Sequence, residues 1–373
     1  MDQRQKLFSW KEMYDTVGTE QLFTEAMREN CQFQYDHCPE YKQLLDGMGF
    51  HPSQLKTPED LGKLPPLPTT YFKAHKLFAM DQKKLPIKAT SSGTRGKKSE
   101  IGLDWGAIRA GASMILKVGR YFKFFSLTPH NYLVMGYEPH KSNKTAVAQT
   151  ATGYTHMTPI LHREYVLKYG PDGYYVDFEG IIKGLNRFSH SKFPTRFMGF
   201  PAYTWFLMEK LKEQDLRFPL PKGSKIYLGG GWKQFYKEQV DKRDFYALAK
   251  DRFDIDESNI VESFGAVEHP IWYSDCTNHH FHVPVYSRVI IRDVNTLEPL
   301  PYGQIGLVNL MTPMVYACPL LSIMTDDLGI LHAPGSCDCG IDSPWLEIIG
   351  RVGMVDIKTC AAGADDLRKE VAL

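Results

Sequence analysis

The sequence lacks the features that mark export and membrane insertion. Residues 1–28 carry charges throughout and contain no apolar core of the kind that secretory signals have. The uncharged stretch 307–324 is interrupted by Asn309, Pro313 and Pro319, which favours buried strands and a turn over a membrane helix. We therefore expect a cytoplasmic protein without a membrane-spanning segment.

A strong net charge is also missing, and cysteines are few. The 373 residues include 44 Lys and Arg against 43 Asp and Glu, a net charge of +1. This balance creates no overall field that would attract a nucleic acid, so no nucleic-acid partner is expected. The seven cysteines are odd in number, and without an export signal they indicate free thiols rather than a disulfide framework.

What the sequence has is a repeated pattern of a short apolar strand, a glycine turn and a helix. Strands of this pattern are predicted at 196–199, 224–228 and 260–263, and helices at 105–121, 180–188 and 235–253. The pattern is typical of layered α/β proteins that bind ligands at the carboxyl ends of their strands. Beyond residue 280 the sequence predicts strands alone, so a β-rich subdomain is expected at about 270–350.

The stretch 90–99 combines hydroxyl side chains, two glycines and three cations. Glycine lets backbone N–H groups approach an anion closely, hydroxyls donate to phosphate oxygens, and cations supply charge. It is not a Walker A loop, because Ser91 stands where that motif needs its first glycine. The residues alone are compatible with a phosphate-binding loop between two strands and with an ordinary basic surface turn.

Four other short stretches could carry chemistry, although each alone is also typical of an exposed turn. They are an aromatic and a carboxylate on either side of a glycine turn at 262–269, a carboxylate pair expected in a turn at 324–329, Gly350-Arg351 after a strand, and three glycines before Trp232.

In this order, the stretches from residue 90 to residue 351 resemble the motifs of the adenylate-forming superfamily, which includes the acyl-CoA synthetases. Residues 90–99 resemble its phosphate loop, and 264–268 resemble its aromatic-Gly-x-Thr-Glu motif with Val267 in place of threonine. Residues 325–327 resemble its Thr-Gly-Asp with Asp326 in place of glycine. These motifs, combined with Gly-Gly-Trp-Lys at 230–233, make the chain similar to the acyl-protein synthetases of bacterial luminescence. Phenylacetate-CoA ligases are related to that family.

The resemblance implies the layered α/β large domain of these enzymes over residues 1–350, followed by a short tail, 351–373, instead of the full mobile C-terminal domain. It implies activation of a carboxylic acid, a fatty acid by analogy, to acyl-AMP with release of pyrophosphate, and then transfer to a thiol. The acceptor would be Cys360, a partner protein such as a reductase or acyltransferase, or CoA. An acyl- or aryl-CoA ligase and a non-catalytic nucleotide-binding module are the alternatives.

The same resemblance assigns residues to ATP and Mg²⁺. These are Ser91, Ser92, Gly93, Thr94, Gly96 and Lys97 at the phosphates, Gly230, Gly231, Phe264 and Gly265 around adenine, Asp327 on the ribose, Arg351 on ribose or phosphate, and Glu268 on Mg²⁺. Cys360 lies two residues after Lys358, and a nearby cation favours the nucleophilic thiolate.

A separate group of cysteines and histidines suggests a metal. Cys276 lies close to His280 and His282, and Cys337-x-Cys339 follows later in the chain. Cys and His at such spacings can form a tetrahedral zinc site, and Cys-Asp-Cys-Gly resembles a turn in the phenylacetate-CoA ligase branch. We expect Cys276, His282, Cys337 and Cys339 to hold a structural Zn²⁺, with His280 as the substitute for His282. Unrelated cysteines in a turn and a strand are the alternative.

Overall fold

The computed structural model describes residues 2–90, 99–143 and 145–352. Its α-helices are α1 (Gln3–Ser9), α2 (Glu20–His37), α3 (Pro39–Gly47), α4 (Thr69–Ala74), α5 (Trp105–Tyr121), α6 (Ala146–Tyr154), α7 (Phe178–Ser189), α8 (Pro201–Glu213) and α9 (Lys242–Phe253). Its strands are β1 (Leu67–Pro68), β2 (Ile87–Thr90), β3 (Glu100–Leu103), β4 (His130–Tyr137), β5 (Ile160–Gly170), β6 (Gly173–Val176), β7 (Thr195–Gly199), β8 (Lys225–Gly229), β9 (Ile260–Ala266), β10 (His269–Ser274), β11 (Phe281–His282), β12 (Arg288–Arg292), β13 (Ile305–Met311), β14 (Ser322–His332) and β15 (Trp345–Arg351). No described helix combines the length and the apolar content that crossing a bilayer requires.

The chain forms two compact units. The first consists of the described residues up to Lys117 together with those from Gly265 onward, and the second is Val118–Phe264. The prediction of one large domain over 1–350 stays a prediction.

The second unit is built on a mainly parallel sheet. Its strands lie in the order β9-β8-β7-β4-β5-β6, and all neighbours in this series run parallel except β5 and β6. Apolar side chains of α7, α8 and α9, such as Leu185, Leu207 and Phe253, are fully buried in one core cluster with the strand residues Leu133 and Phe197. The predicted α/β layering is confirmed in this unit.

Gly199 is needed where β7 turns into α8. Its φ is +138°, a value that favours glycine. A Cβ atom at this position would lie 2.5 Å from the carbonyl oxygen of Met135 on the neighbouring strand. Any side chain here would therefore push β7 and β4 apart.

The first unit contains an antiparallel sheet in the order β11-β15-β14-β13-β12, with β1 paired in parallel to β14. This confirms the β-rich region expected after residue 280.

Buried amides of α2 hold the loop that enters β14: Nδ2 of Asn30 donates to the carbonyls of Pro313 (3.1 Å) and Val315 (2.8 Å). Nε2 of Gln34 donates to the carbonyl of Tyr316 (2.9 Å).

Several predicted elements differ from the structure. The carboxylate pair at 326–327 lies inside β14 rather than in a turn, because β14 is paired with β13 on one side and β15 on the other. The helix predicted at 235–253 is a 3₁₀ segment, Lys233–Glu238, followed by α9, which begins after the capping carboxylate of Asp241. The strand expected near residue 280 is only two residues long, β11.

Candidate functional site

Cys276, His282, Cys337 and Cys339 lie together in the first unit, and we call them the Cys₃His cluster. Their ligand atoms are all within 4.8 Å of one another. Sγ of Cys276 is 3.8 Å from Sγ of Cys337, and Sγ of Cys339 is 3.2 Å from Nε2 of His282. The structure thus brings together the four residues that the sequence predicted as metal ligands.

Two turns and one short strand position this cluster. Cys276 begins a turn that is closed by a hydrogen bond from its N–H to the carbonyl of His280 (3.0 Å). His282 lies on β11, which pairs with the first residues of β15. Cys337 and Cys339 lie in the connection between β14 and β15. Because β11, β15 and β14 are adjacent strands, residues distant in sequence meet at one end of this sheet.

The ring of His282 is oriented by the backbone. Its Nδ1 lies 3.1 Å from the carbonyl oxygen of Ser343. A carbonyl only accepts, so Nδ1 carries the proton and Nε2 presents its lone pair to the cluster. Burial lowers the pKa of His282, against the opposing effect of the Ser343 carbonyl, so the ring is neutral, as a metal ligand must be.

N–H groups point at the sulfurs. The backbone N–H of Asn278 donates to Sγ of Cys276 (3.3 Å), and Nδ1 of His280 lies 3.2 Å from Sγ of Cys337. Such donors stabilise negative charge on sulfur. Burial raises the pKa of Cys276, and burial together with the neighbouring thiols raises the pKa of Cys339 to about 12. Without a cation the thiols of Cys276 and Cys339 therefore stay protonated, and a cation would convert them to thiolates.

His280 belongs to the wall of the cluster rather than to the four ligands. Its ring stacks on the indole of Trp345, with centroids 3.7 Å apart, and His332 stacks on the same indole at 3.6 Å. Two rings at these distances occupy opposite faces of the indole. The indole N–H donates to Oγ of Ser336 (2.8 Å). Sequence reasoning missed Trp345 and Ser343, because their role depends on pairing between strands and not on any local motif.

The residues assigned to the phosphates, Ser91, Ser92, Gly93, Thr94, Gly96 and Lys97, lie outside the described residues, as does Cys360. The strands on either side are described. β2 and β3 pair in antiparallel fashion, with Thr90 opposite Glu100. The stretch 91–98 therefore connects the two strands of a hairpin, as the sequence predicted.

Asp327 and Arg351 are cross-strand neighbours in the first unit. They are opposite each other in the β14–β15 pairing, and Nε of Arg351 is 3.6 Å from Oδ1 of Asp327. The backbone N–H of Asp327 donates to Oγ1 of Thr325 (3.2 Å). Asp327, assigned to ribose, and Arg351, assigned to ribose or phosphate, thus lie opposite each other in the sheet.

In the second unit, Gly230 and Gly231 form the turn after β8, with φ values of +81° and +66°. β8 pairs with β9 so that Gly229 is opposite Ser263. Gly230 and Phe264 each follow this pair by one residue, at the carboxyl ends of their strands. The residues assigned to adenine in this unit are therefore neighbours.

Glu268 is 5% exposed and lies in the two-residue turn between β9 and β10. The next residue, His269, is fully buried, with Nε2 3.2 Å from the hydroxyls of both Tyr273 and Ser287. Ser287 in turn donates to the carbonyl of Met311 (2.9 Å). No motif predicted this network, which anchors the first residue after the turn.

Three aromatic residues of α8 pack against neighbouring rings. Trp205 packs against the core beside Phe245. Tyr203 and Phe206 are half-buried, and both lie edge-on to Phe235, at 5.7 and 5.1 Å. Tyr203, like Trp205, packs against the core cluster of the second unit.

Comparison with known proteins identifies relatives along nearly the whole chain. The family model described as acyl-protein synthetase, LuxE, matches residues 9–367. The long-chain-fatty-acid–luciferin-component ligase of Aliivibrio fischeri is 29% identical over 348 residues, covering 90% of this chain and 86% of that protein. The corresponding ligase of Vibrio harveyi is 26% identical over 351 residues, covering 91% and 86%.

Solved structures show the same fold at low sequence identity. 2-Hydroxyisobutyryl-CoA ligase with 2-hydroxyisobutyryl-AMP in the postadenylation state superposes with a TM-score of 0.68 at 17% identity, covering 91% of this chain and 69% of that one. An open conformation of that ligase with the same adenylate and CoA gives 0.67 at 18% identity, covering 91% and 76%. The predicted fold, that of the large domain of adenylate-forming enzymes, is confirmed.

Proposed function

The chain belongs to the acyl-protein synthetase (LuxE) family, and we propose that it activates a carboxylic acid with ATP and transfers the acyl group to a thiol. The observation that carries this proposal is the family match over residues 9–367. A long-chain fatty acid is the substrate class we propose, from the activity named for both bacterial relatives.

In the first half-reaction, a carboxylate oxygen attacks the α-phosphorus of ATP, and pyrophosphate leaves. The protein's part is positioning and neutralising charge. We assign the phosphates to 91–97, adenine to Phe264 and the Gly230–Gly231 turn, and ribose to Asp327. Glu268 would hold Mg²⁺, which would neutralise phosphate charge. The hairpin around 91–98, the Asp327–Arg351 pair and the buried carboxylate of Glu268 support these roles.

In the second half-reaction, a thiolate attacks the acyl carbonyl, a thioester forms and AMP leaves. We propose Cys360 as the acceptor, and a partner reductase or acyltransferase as the protein that receives the group next. CoA is the competing acceptor, since the fold is shared with a CoA ligase. A non-catalytic nucleotide-binding protein is the remaining alternative.

The deciding experiment is the intact mass of the protein after incubation with Mg²⁺-ATP and a series of fatty acids without CoA. A mass gain that neutral hydroxylamine removes, absent in Cys360→Ser and retained in Cys318→Ser, establishes the acyl-enzyme and gives the chain length. AMP formed only when CoA is added assigns the protein to the CoA ligases. No acid-dependent ATP–pyrophosphate exchange with any chain length would contradict the activity.

For the Cys₃His cluster we propose a structural Zn²⁺. Three sulfurs and one neutral imidazole suit zinc, and four protein ligands leave no open position for catalysis. The orientation of His282 and the N–H groups at the sulfurs support this proposal. Protein purified without chelators should contain about one zinc per chain. Cys276→Ser should lose it, and Cys31→Ser, which changes a buried thiol outside the cluster, should keep it.

We further propose that the protein is cytoplasmic. The six described cysteines are all free thiols, five of them buried and Cys339 partly buried, which suits a reducing compartment.

A further inference from the structure

One edge of the second unit is formed by the amino-terminal ends of four neighbouring parallel strands, β8, β7, β4 and β5, and we call it the amino edge. The segments before these strands are tied to one another. The N–H of Ser126 donates to the carbonyl of Met157 (3.4 Å), and the N–H of Thr195 donates to Oγ of Ser224 (2.9 Å). The residues assigned to adenine lie at the other, carboxyl ends of the strands, where parallel sheets bind their ligands.

The segments at the starts of these four strands carry cations and no carboxylates. The five residues before each of these strands, and the first two residues of each strand, include no Asp or Glu. Lys192 and Lys222 are exposed there, and so is Lys123 in the segment that leads to β4. The cations affect one another, because burial and the charges of Arg196 and Lys123 lower the pKa of Lys225.

Acidic residues near this edge lie outside those segments: Glu213 and Asp215 are exposed at the end of α8, and others lie before the outer strand β9. Asp254 and Asp256 both lie there and contact the same cation, Lys250, at 2.6 and 2.9 Å. Their charge is thus partly compensated locally. The positive character of the four central strand ends is therefore not cancelled by side chains within those segments.

An apolar tip projects from the same edge. In the connection from α5 to β4, Leu127 is 95% exposed and Phe125 38%, and Tyr121, the last residue of α5, is 52% exposed. The backbone of this connection is anchored, since Nη1 of Arg196 donates to the carbonyl of Phe124 (2.6 Å). An exposed apolar group on an anchored segment is a feature that interaction surfaces have.

We propose that the amino edge docks on a bilayer that contains anionic phospholipid. Leu127, Phe125 and Tyr121 enter the interfacial region, and Lys123, Lys192 and Lys222 contact lipid phosphates. Aromatic and aliphatic side chains surrounded by lysines are the combination that binds this interface. A protein partner would instead need a pocket that fits the tip, because hot spots bind in desolvated pockets. The inference rests on this surface alone and not on the proposed activity.

The test is sedimentation of the full chain with vesicles of phosphatidylcholine, with or without phosphatidylglycerol. Binding is expected only with phosphatidylglycerol, and it should disappear in about 1 M salt, where charges are screened beyond roughly 3 Å. Lys192→Glu with Lys222→Glu should weaken binding more than about tenfold, because each lysine contributes a factor of roughly five. Leu127→Ser should weaken it about fivefold or more.

Two matched changes outside the amino edge serve as controls. Val17→Ser changes an apolar residue that is 68% exposed, and Lys56→Glu reverses an exposed lysine. Both should bind as the unchanged protein does. Three results would overturn the proposal: no sedimentation with phosphatidylglycerol vesicles, equal binding by the edge variants and the controls, or retention on an acidic polypeptide but not on vesicles. Leu127 is exposed, so its variant keeps the test valid if the double variant fails to fold.

Discussion

His282 donates its Nδ1–H to the backbone carbonyl of Ser343 over 3.1 Å, and its Nε2 lies 3.2 Å from Sγ of Cys339. The first contact determines which nitrogen can bind a metal. His280, two residues earlier, contacts the cluster through its Nδ1, which lies 3.2 Å from Sγ of Cys337. With Cys337 as a metal-bound thiolate, which only accepts, His280 would offer an N–H donor where His282 offers a lone pair.

This difference predicts unequal effects of two matched substitutions. His282→Gln should abolish stoichiometric zinc binding, because a ligand is lost. His280→Gln should keep zinc but bind it about 10- to 100-fold more weakly, the effect typical of losing an outer hydrogen bond to a ligand. Competition with a chromophoric chelator measures both. Equal zinc affinity in the two variants would show that His282 is not a ligand.

How far the sequence predicts the fold depends on whether a signal is local. Helix α5 begins and ends where the sequence predicted, at Trp105 and Tyr121, and α8 begins at Pro201, whose fixed φ suits the first position of a helix. The pair Asp326 and Asp327 was wrongly predicted as a turn, because acidic residues are typical of turns. Strand pairing on both sides of β14 overrides that local preference.

In the candidate site, too, local signals could be predicted from the sequence and contacts made by strand pairing could not. Cysteine and histidine types and spacing predicted which four residues would meet in the Cys₃His cluster, and the structure places them together. The orientation of His282 by Ser343 could not be predicted, since Ser343 joins the cluster only through the β11–β15 pairing. The amino edge could not be predicted from the sequence either, because its cations come from three separate segments of a nearly neutral chain.

Asp327 and Asp326 make a matched pair for testing nucleotide binding. Adjacent residues of a strand point to opposite faces, and Asp327 is the one beside Arg351. Asp327→Ala should raise the KM for ATP roughly 10- to 100-fold, the range for loss of hydrogen bonds to a charged group. Asp326→Ala should change it less than about threefold, within the variation usual for a residue without such a contact. ATP–pyrophosphate exchange measures both, and equal effects would contradict the ribose assignment.

Gly199 and Gly229 end neighbouring strands but differ in the room around them. A Cβ at Gly199 would lie 2.5 Å from the carbonyl of Met135, while a Cβ at Gly229 meets nothing within 4 Å. Gly199→Ala should therefore reduce the free energy of unfolding by about 2 kcal/mol or more, from strain and overpacking. Gly229→Ala should change it by less than about 0.5 kcal/mol. Chemical denaturation distinguishes the two, and an equal loss would show that the close approach is absent.

His269 predicts a specific acid sensitivity. Burial lowers its pKa to about 3, while an unfolded histidine titrates near its ordinary value of 6.5. The unfolded state binds a proton that the folded state does not bind. The contribution of His269 to the free energy of unfolding is therefore fully present above pH 6.5 and decreases as the pH falls towards 3. The slope is about 1.4 kcal/mol per pH unit, or roughly 2 kcal/mol between pH 6.5 and 5.

His269→Gln should be less stable at pH 7, because it disturbs a buried network, but its unfolding free energy should fall less steeply between pH 6.5 and 5. The pKa of His130 is lowered to about 4, mainly by burial, and His130 is present in both proteins, so the difference in slope isolates His269. His51→Gln, which changes an exposed histidine, should keep the original slope. Urea unfolding at several pH values measures this, and an unchanged slope in His269→Gln would mean that the buried imidazole takes up its proton without unfolding.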